Sequence, residues 1–83
     1  MASKEKPLFP ILFYNARGLG EAIKKVRRLR GVTQQELSQW SKTSVKFISN
    51  VENGKETAEI GKILTLLRVL DVGMNLTNLR LED

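Results

Sequence analysis

Apolar residues in the first third of the chain recur at the spacing of one helix face. Four of them follow the i, i+3, i+4, i+7 rule: Leu19, Ala22, Ile23 and Val26. Asn15 is a favourable N-cap and Gly31 a favourable terminator, so the pattern predicts a first helix between them. Basic residues crowd its second half, where the negative end of the helix dipole favours cations without any ligand.

A second apolar series lies near the carboxy terminus. It consists of Ile60, Ile63, Leu64, Leu67 and Leu70. The series predicts a helix that begins after Thr57, buries this stripe and closes at Gly73. Beyond it, the segment MNLTNLRL partly alternates between apolar and polar residues, which predicts a short strand. A single strand has no hydrogen-bonding partner, so it must pair with the amino-terminal arm or with the same strand of a second copy.

Polar residues dominate the stretch between these two series. Thr33 and Glu36 have the spacing of a capping box, which predicts a short helix that ends at residue 40 or 41. Ser44 caps a third helix that runs to residue 52 or 53 and stops at Gly54. Two short helices joined by a tight turn are the sequence form of a helix-turn-helix.

The ends of the chain differ from this helical centre. Residues 1–7 are polar and are predicted to be disordered. The segment from Leu8 to Tyr14 is rich in β-forming and aromatic residues, which predicts an extended arm that packs on its own domain or on a second subunit. We therefore expect an arm over residues 1–16, a helix-turn-helix domain over 17–72, and a strand and tail over 73–83.

Composition narrows the classes of function. Fourteen Lys and Arg against nine Asp and Glu give a net charge of +5, which favours a polyanionic partner. The chain has neither cysteine nor histidine, so it lacks thiolate ligands and the commonest general base. We expect no catalysis, no metal and no cofactor. No apolar run approaches the roughly 20 residues that span a bilayer, and no signal peptide is evident, so we expect a cytoplasmic protein without a membrane partner.

The third predicted helix carries the candidate DNA-reading surface. Ile48 and Val51 supply its inward face, which leaves one set of side chains on the opposite side: Val45, Lys46, Ser49 and Asn50. A carboxamide can pair with adenine, a lysine can reach guanine, a hydroxyl can bond to either kind of base edge, and an aliphatic group can contact a thymine methyl. We predict that these four residues read bases in the major groove.

Flanking polar residues are candidates for phosphate contacts. Gln34 lies near the start of the second helix, where side chain and free helix amides can both bind a phosphate. Asn53 and Lys55 follow the third helix and are expected to contact phosphate on the other flank, and Ser44 belongs to the same predicted set. A solvated polar face would explain any one of these residues, but it explains their combined order and spacing much less well.

The segment VTQQELSQWSKTSVKFISNVENGK resembles the helix-turn-helix of Xre-type repressors. The matching positions are Thr33-Gln34, Leu37, Ser44, Ile48-Ser49, Glu52 and Gly54-Lys55. The order of FYNARGLGEAIKKVRRLRGVTQ, ISNVEN and LDVGMNL is also similar to that of HipB-type antitoxins, from about Phe13 to Leu79. This resemblance implies a mainly α, lambda-repressor-like fold of four to five helices. It also implies a short carboxy-terminal strand, including Met74 and Leu76, that pairs across a dimer.

The same resemblance implies a function. A HipB-type antitoxin would be a homodimer that binds double-stranded operator DNA, represses its own operon and holds a HipA-type kinase toxin inactive. The family's base-reading and phosphate-binding positions fall on the residues proposed above. The alternatives are an Xre-type regulator without a toxin, and a protein-interaction adaptor that keeps the helix-turn-helix only as a scaffold.

Three further expectations concern particular side chains. Related repressors pair the glutamate at Glu52 with an arginine of the first helix, which maps to Arg27, so we expect a structural ion pair and not a site. Trp40 stands where the family has an exposed charged residue, and it either covers the edge of the core or contacts a partner. Lys42 replaces the usual turn glycine, and a lysine held in the left-handed conformation there would cost roughly 1 kcal/mol or more. Ser38 replaces the usual alanine and Thr43 the usual valine, so this corner packs less tightly or carries an extra hydrogen bond.

Overall fold

The computed structural model describes residues 8–80 of the chain, and these residues contain four α-helices. They are α1 (Ala16–Leu29), α2 (Gln34–Ser41), α3 (Val45–Glu52) and α4 (Ile60–Val69). The prediction of a mainly helical fold with a helix-turn-helix at its centre is confirmed. The predicted disorder of residues 1–7 lies outside the described residues.

Short polar side chains fix where three of the helices begin. Asn15 Oδ1 accepts a hydrogen bond from the Gly18 amide at 2.8 Å, at the start of α1. At the start of α2, Thr33 and Glu36 each bond to the backbone amide of the other, which completes a capping box. Ser44 caps α3 in the same manner as Asn15 caps α1. Each cap satisfies amides that the first helical turn leaves without a partner.

The end of α4 differs from the prediction. The helix stops at Val69, and Asp71 with a φ of 62° provides the left-handed turn that the sequence predicts at Gly73. The Asp71 amide donates to the Arg68 carbonyl and the Val72 amide to the Leu67 carbonyl, both at 3.0 Å. This arrangement brings Val72 back onto the core. The hydrophobic contact therefore sets the end of the helix earlier than the glycine would.

The core takes one fully buried side chain from each helix. These residues are Ile23, Leu37, Ile48 and Leu66. Val26, Val51, Ile63, Leu67 and Leu70 complete the buried cluster. Burial of each such side chain stabilises the fold by about 1.5–3 kcal/mol.

The predicted buried stripe of α4 is partly wrong. Ile60 and Leu64 are 57% and 48% exposed, whereas Leu66 is fully buried. Ile63 and Leu67 are buried whether α4 turns Leu64 or Leu66 toward the core. The sequence therefore fits two neighbouring faces of this helix almost equally well. The α4 face that packs against α2 decides between them.

Close contact between α1 and α3 depends on Gly20. A Cβ atom at this position would overlap the carbonyl oxygen of Val51 and crowd the backbone of Glu52. Because no other residue lacks a Cβ, α3 can approach α1 this closely only at a glycine. The contact holds the inner side of α3 against the domain and leaves its other side available.

Residues 8–14 of the predicted arm and residues 73–80 of the predicted tail have no regular secondary structure in the single chain. Ile11 packs against the core, while Leu12 and Tyr14 are exposed. Residues 73–79 are also exposed, and residues 8–80 contain no strand. Pairing of a tail strand across a dimer therefore stays a prediction, as do the predicted domain boundaries. Within the same residues, no helix has the length and apolar character needed to cross a membrane.

Candidate nucleic-acid interface

The α3 helix separates an anchoring side from an outward side. Ile48 and Val51 are buried in the core. On the outward side, Val45 is 42% exposed and Lys46 is also exposed. The structure thus orients an aliphatic group and a cation away from the domain at the first turn of this helix.

Ser49 and Asn50, the other two predicted base-reading residues, are half-buried. Asn53 lies one turn further along, and its Nδ2 atom is 3.5 Å from Ser49 Oγ. Residues 45, 49 and 53 are spaced by four, so they share one face of the helix. This face presents aliphatic, hydroxyl and carboxamide groups in succession, which are the groups that can discriminate base edges.

The amino-terminal end of α2 offers backbone donors. The amides of Gln34 and Gln35 belong to the first helical turn and have no intrahelical carbonyl to bond to. Together with the positive end of the helix dipole, such amides suit an anion such as a phosphate oxygen. Ser44, at the start of α3, is exposed and accepts a hydrogen bond from the Phe47 amide at 2.9 Å. Its hydroxyl proton can therefore still be donated to a phosphate.

The Gln34 side chain is not directed freely into solvent. Its Nε2 atom donates to Glu52 Oε1 at 3.0 Å, and the residue is half-buried. One Nε2 hydrogen is used in this bond and the other remains for a phosphate. The contact ties the start of α2 to the end of α3, so it fixes the spacing between the two predicted phosphate-binding ends.

A buried ion pair lies behind this contact. Arg27 donates from Nε to Glu52 Oε2 at 2.6 Å and from a terminal nitrogen to Glu52 Oε1 at 3.0 Å. A third bond runs from Arg27 to the Val32 carbonyl at 2.9 Å. The two side chains are only 10% and 3% exposed. The hydrogen bond to Glu52 raises the pKa of Arg27 above its ordinary value, although burial acts in the opposite direction. The two residues are placed as the predicted structural pair requires.

The loop after α3 holds the second flank. Gly54 has a φ of 86°, a left-handed conformation that glycine adopts without steric cost. Its amide donates to Val51, and the next amide, of Lys55, donates to the Asn50 carbonyl. This turn leaves Asn53 and Lys55 exposed at the carboxyl end of α3.

The turn between α2 and α3 shows how the chain departs from the family pattern. Lys42 has a φ of 58°, the left-handed conformation expected at this position. Ser41 Oγ and Thr43 Oγ1 lie 2.8 Å apart, and Ser41 Oγ also donates to the Leu37 carbonyl. The corner thus carries the extra hydrogen bond, which is one of the two arrangements expected for Thr43. Trp40 is 56% exposed and does not belong to the group packed against the core.

Sequence reasoning did not anticipate two features of the site. The first is the link between Gln34 and the ion pair, since the two residues are 18 positions apart. The second is the proximity of Arg17 to the loop after α3: a Cβ on Gly54 would lie 2.9 Å from Arg17 Cα. The positive φ at Gly54 was predictable from its place after a helix, but its neighbour in space was not.

Comparisons with known proteins match the helix-turn-helix region and its surroundings. The family model HTH_3, described as helix-turn-helix, matches residues 23–76. An uncharacterised HTH-type transcriptional regulator, y4mF, of Sinorhizobium fredii (strain NBRC 101917 / NGR234) is 33% identical over 58 residues. That alignment covers 70% of this chain and 76% of the relative.

Solved structures extend the similarity to the whole domain. A structure described as a HipB-O4 20mer complex superimposes with a TM-score of 0.77 and 29% sequence identity, over 83% of this chain and 97% of that one. A HipA-HipB-O2-O3 complex gives the same values. The family match covers more than half of the chain and includes both helices of the motif. The chain therefore belongs to the helix-turn-helix family of DNA-binding transcriptional regulators.

Proposed function

We propose that this protein is a homodimeric, sequence-specific repressor that acts as the antitoxin of a HipA/HipB-like operon. In this role it would repress its own operon and neutralise a kinase toxin in the cytoplasm. The observation that carries the proposal is the outward face of α3, in a chain that matches HipB over nearly all of HipB's length. Predicted phosphate contacts lie on both sides of this face.

The reading helix has dimensions that suit a major groove. Eight residues at 1.5 Å each give α3 a length of about 12 Å, comparable to the groove width of about 12 Å. Lys46 would contact guanine or a phosphate, and Asn50 would contact adenine. Val45 would lie against a thymine methyl, and Ser49 would bond to a base edge. Gln34 and Ser44 would bind phosphates on one side.

Measurement of DNA binding against salt concentration tests this part of the proposal. Lys46 and Lys55 are the cations among these proposed contacts, so if each neutralises one phosphate, the dimer's affinity should fall with a log-log slope of about −3.6. The assay would use fluorescence anisotropy with a duplex that the protein itself selects from a random library. A slope near zero would refute the electrostatic contacts, and absence of binding to any duplex at low salt would favour the adaptor alternative.

Dimerisation is supported by an apolar groove between the arm and the tail. Phe9, Leu12, Tyr14, Met74, Leu76 and Leu79 are among the residues that line it, and all six are exposed in the single chain. Leu76 is 99% exposed, which is unfavourable for an aliphatic side chain unless a partner covers it. We propose that residues 73–79 form a strand that pairs with its twin and places Met74 and Leu76 in this groove.

Substitution in the tail tests the dimer. Leu76→Asp should convert a dimer into a monomer, as measured by sedimentation equilibrium. The helical signal in far-UV circular dichroism should be retained, because Leu76 is 99% exposed within one subunit. Ile60→Asp is the control, since Ile60 is an equally large, exposed aliphatic residue in the first turn of α4 and does not line this groove. A wild-type chain that binds its operator tightly as a monomer would contradict the proposed assembly.

Trp40 is the proposed contact for the toxin. Its exposure favours a partner contact over a role at the edge of the core, because exposed tryptophans are enriched at binding hot spots. Trp40→Ala should weaken toxin binding and leave DNA binding unchanged, whereas Leu64→Ala, which removes an exposed apolar side chain of α4, should change neither. A neighbouring gene that encodes a kinase-like protein would support the antitoxin role. A genome without one would favour a regulator that has no toxin.

A further inference from the structure

One side of α1 carries a row of cations that the contacts described above do not use. Arg17, Lys24, Lys25 and Arg28 line a shallow groove together with Glu21, Glu52 and Asn53. Positions 17, 21, 24 and 28 are separated by four, three and four residues, so they share one face of the helix. We call the four cations the α1 ridge.

The positive charge of this ridge is largely uncompensated. Among residues 8–80, the ion pairs within 4.0 Å are Arg27–Glu52 and Lys62–Glu59, and neither includes a ridge residue. The Glu52 carboxylate is already bonded to Arg27, which leaves Glu21 as the remaining carboxylate of the groove. Four positive charges therefore face one available negative charge.

The helix dipole does not explain the whole ridge. It favours Arg28, which lies in the last turn of α1. Arg17 is in the first turn of the same helix, where the dipole disfavours a cation. A ligand that carries several negative charges would stabilise both ends of the ridge at once.

The ridge is continuous with the end of the reading helix. Gly54 approaches the backbone of Arg17, and Asn53 lines the same groove. From Arg17 to Arg28 the helix rises by about 16 Å at 1.5 Å per residue. A DNA strand whose phosphate binds at Asn53 and Lys55 would therefore meet further cations along α1.

We propose that the α1 ridge binds backbone phosphates of the DNA that flanks each half-site, and so lengthens the footprint beyond the bases read by α3. The inference rests on the proposed operator binding. The chemistry favours DNA over an acidic protein because the groove is lined by charged and polar side chains alone. A protein interface would require an apolar centre, whereas phosphate contacts require only Lys and Arg.

The experiment compares two arginines in matched positions. Arg28 and Arg68 are both exposed and both lie in the last turn of a helix, but only Arg28 lines the groove. Arg28→Gln and Arg68→Gln would each be assayed against the salt concentration on two duplexes. One contains the selected operator alone, about 20 base pairs for two half-sites one turn apart, and the other adds flanking sequence on both sides.

On the flanked duplex, Arg28→Gln should reduce the magnitude of the log-log salt slope by about 1.8, since a dimer loses two phosphate contacts at about 0.9 each. Lys24→Gln with Arg28→Gln should reduce it by about 3.6. Arg68→Gln should leave the slope on the flanked duplex unchanged. On the short duplex, the wild type and both single variants should have the same slope. Thermal unfolding of each variant would show that the fold is intact.

The possible failures are distinguishable. Equal slopes for Arg28→Gln and Arg68→Gln on the flanked duplex, with wild-type binding intact, would overturn the ridge inference and leave operator binding standing. The ridge inference also fails if Arg28→Gln lowers the slope equally on both duplexes, because the contact would then lie within the half-site. Failure of the wild type to bind the duplex at all would instead overturn the proposed function.

Discussion

Replacement of Glu52 by leucine should destabilise the domain more than any exposed substitution. The Glu52 carboxylate accepts three hydrogen bonds, two from Arg27 and one from Gln34. Its side chain is 3% exposed, and that of Arg27 is 10% exposed. Glu52→Leu would leave the largely buried guanidinium charge without its counterion.

The expected magnitude follows from this burial. Loss of one partner of a buried ion pair costs about 3–5 kcal/mol, whereas an exposed pair contributes about 0–1 kcal/mol. A domain of this length has a total stability of about 4–12 kcal/mol, at 0.05–0.15 kcal/mol per residue. The substitution should therefore remove a large fraction of the stability and lower the melting temperature by at least about 12 °C.

Urea unfolding followed by far-UV circular dichroism provides the measurement. Because the pairing raises the pKa of Arg27, the arginine is fully charged at neutral pH, and its contribution to stability would be lost only in strong alkali. Glu59→Leu is the matched control, since the Glu59 side chain is 67% exposed and its Oε2 atom lies 3.8 Å from Lys62 Nζ. The control should cost less than about 1 kcal/mol.

A double variant separates the lost pair from the buried charge. Arg27→Met combined with Glu52→Leu removes both charges and should recover most of the stability, because apolar replacement of a buried pair is often neutral or favourable. If Glu52→Leu costs no more than Glu59→Leu, the ion pair does not stabilise the packing of α1 against α3. If the double variant is as unstable as Glu52→Leu, the cost does not come from the unpaired arginine.

Two backbone positions give further predictions. Gly20→Ala should lower the free energy of unfolding by at least about 1–3 kcal/mol, because the new Cβ overlaps the Val51 carbonyl. Gly61→Ala in α4 should raise it by up to about 1 kcal/mol, because a Cβ there meets nothing closer than 3.9 Å. Thermal unfolding of the two variants measures the difference. An equal effect of the two would contradict the close contact of α1 with α3. Lys42→Gly should raise the free energy of unfolding by about 1 kcal/mol, because it relieves a left-handed lysine, and a loss of stability in urea unfolding would contradict this account of the turn.

Local sequence signals predicted the start of the first three helices. Asn15, Thr33 and Ser44 each bond to amides within three residues, so the interaction that sets the helix start is contained in a few adjacent letters. The outward face of α3 was predictable for a similar reason, since helical spacing places Lys46 opposite Ile48 and Val51. The starts of these helices and the outward face of α3 depend mainly on such short-range patterns.

Interactions between distant segments of the chain were harder to predict from the sequence. The face of α4 depends on α2, because Ile60 and Leu66 are both apolar and only packing selects which one is buried. The end of α4 depends on the contact of Val72 with the core, which overrides the signal from Gly73. The predicted carboxy-terminal strand stays a prediction, because its proposed pairing partner lies in a second chain.

The central claim is that α3 reads bases while its flanks bind phosphates, and one comparison of two variants tests it directly. Asn50→Ala and Lys55→Ala would each be titrated against the selected operator and against random duplex at the same salt concentration. Asn50→Ala should lose about 1–3 kcal/mol of binding free energy on the operator and almost none on random DNA, whereas Lys55→Ala should weaken both duplexes equally. Equal losses for Asn50→Ala on the two duplexes would contradict the account, because the outward face of α3 would then not be the reading surface.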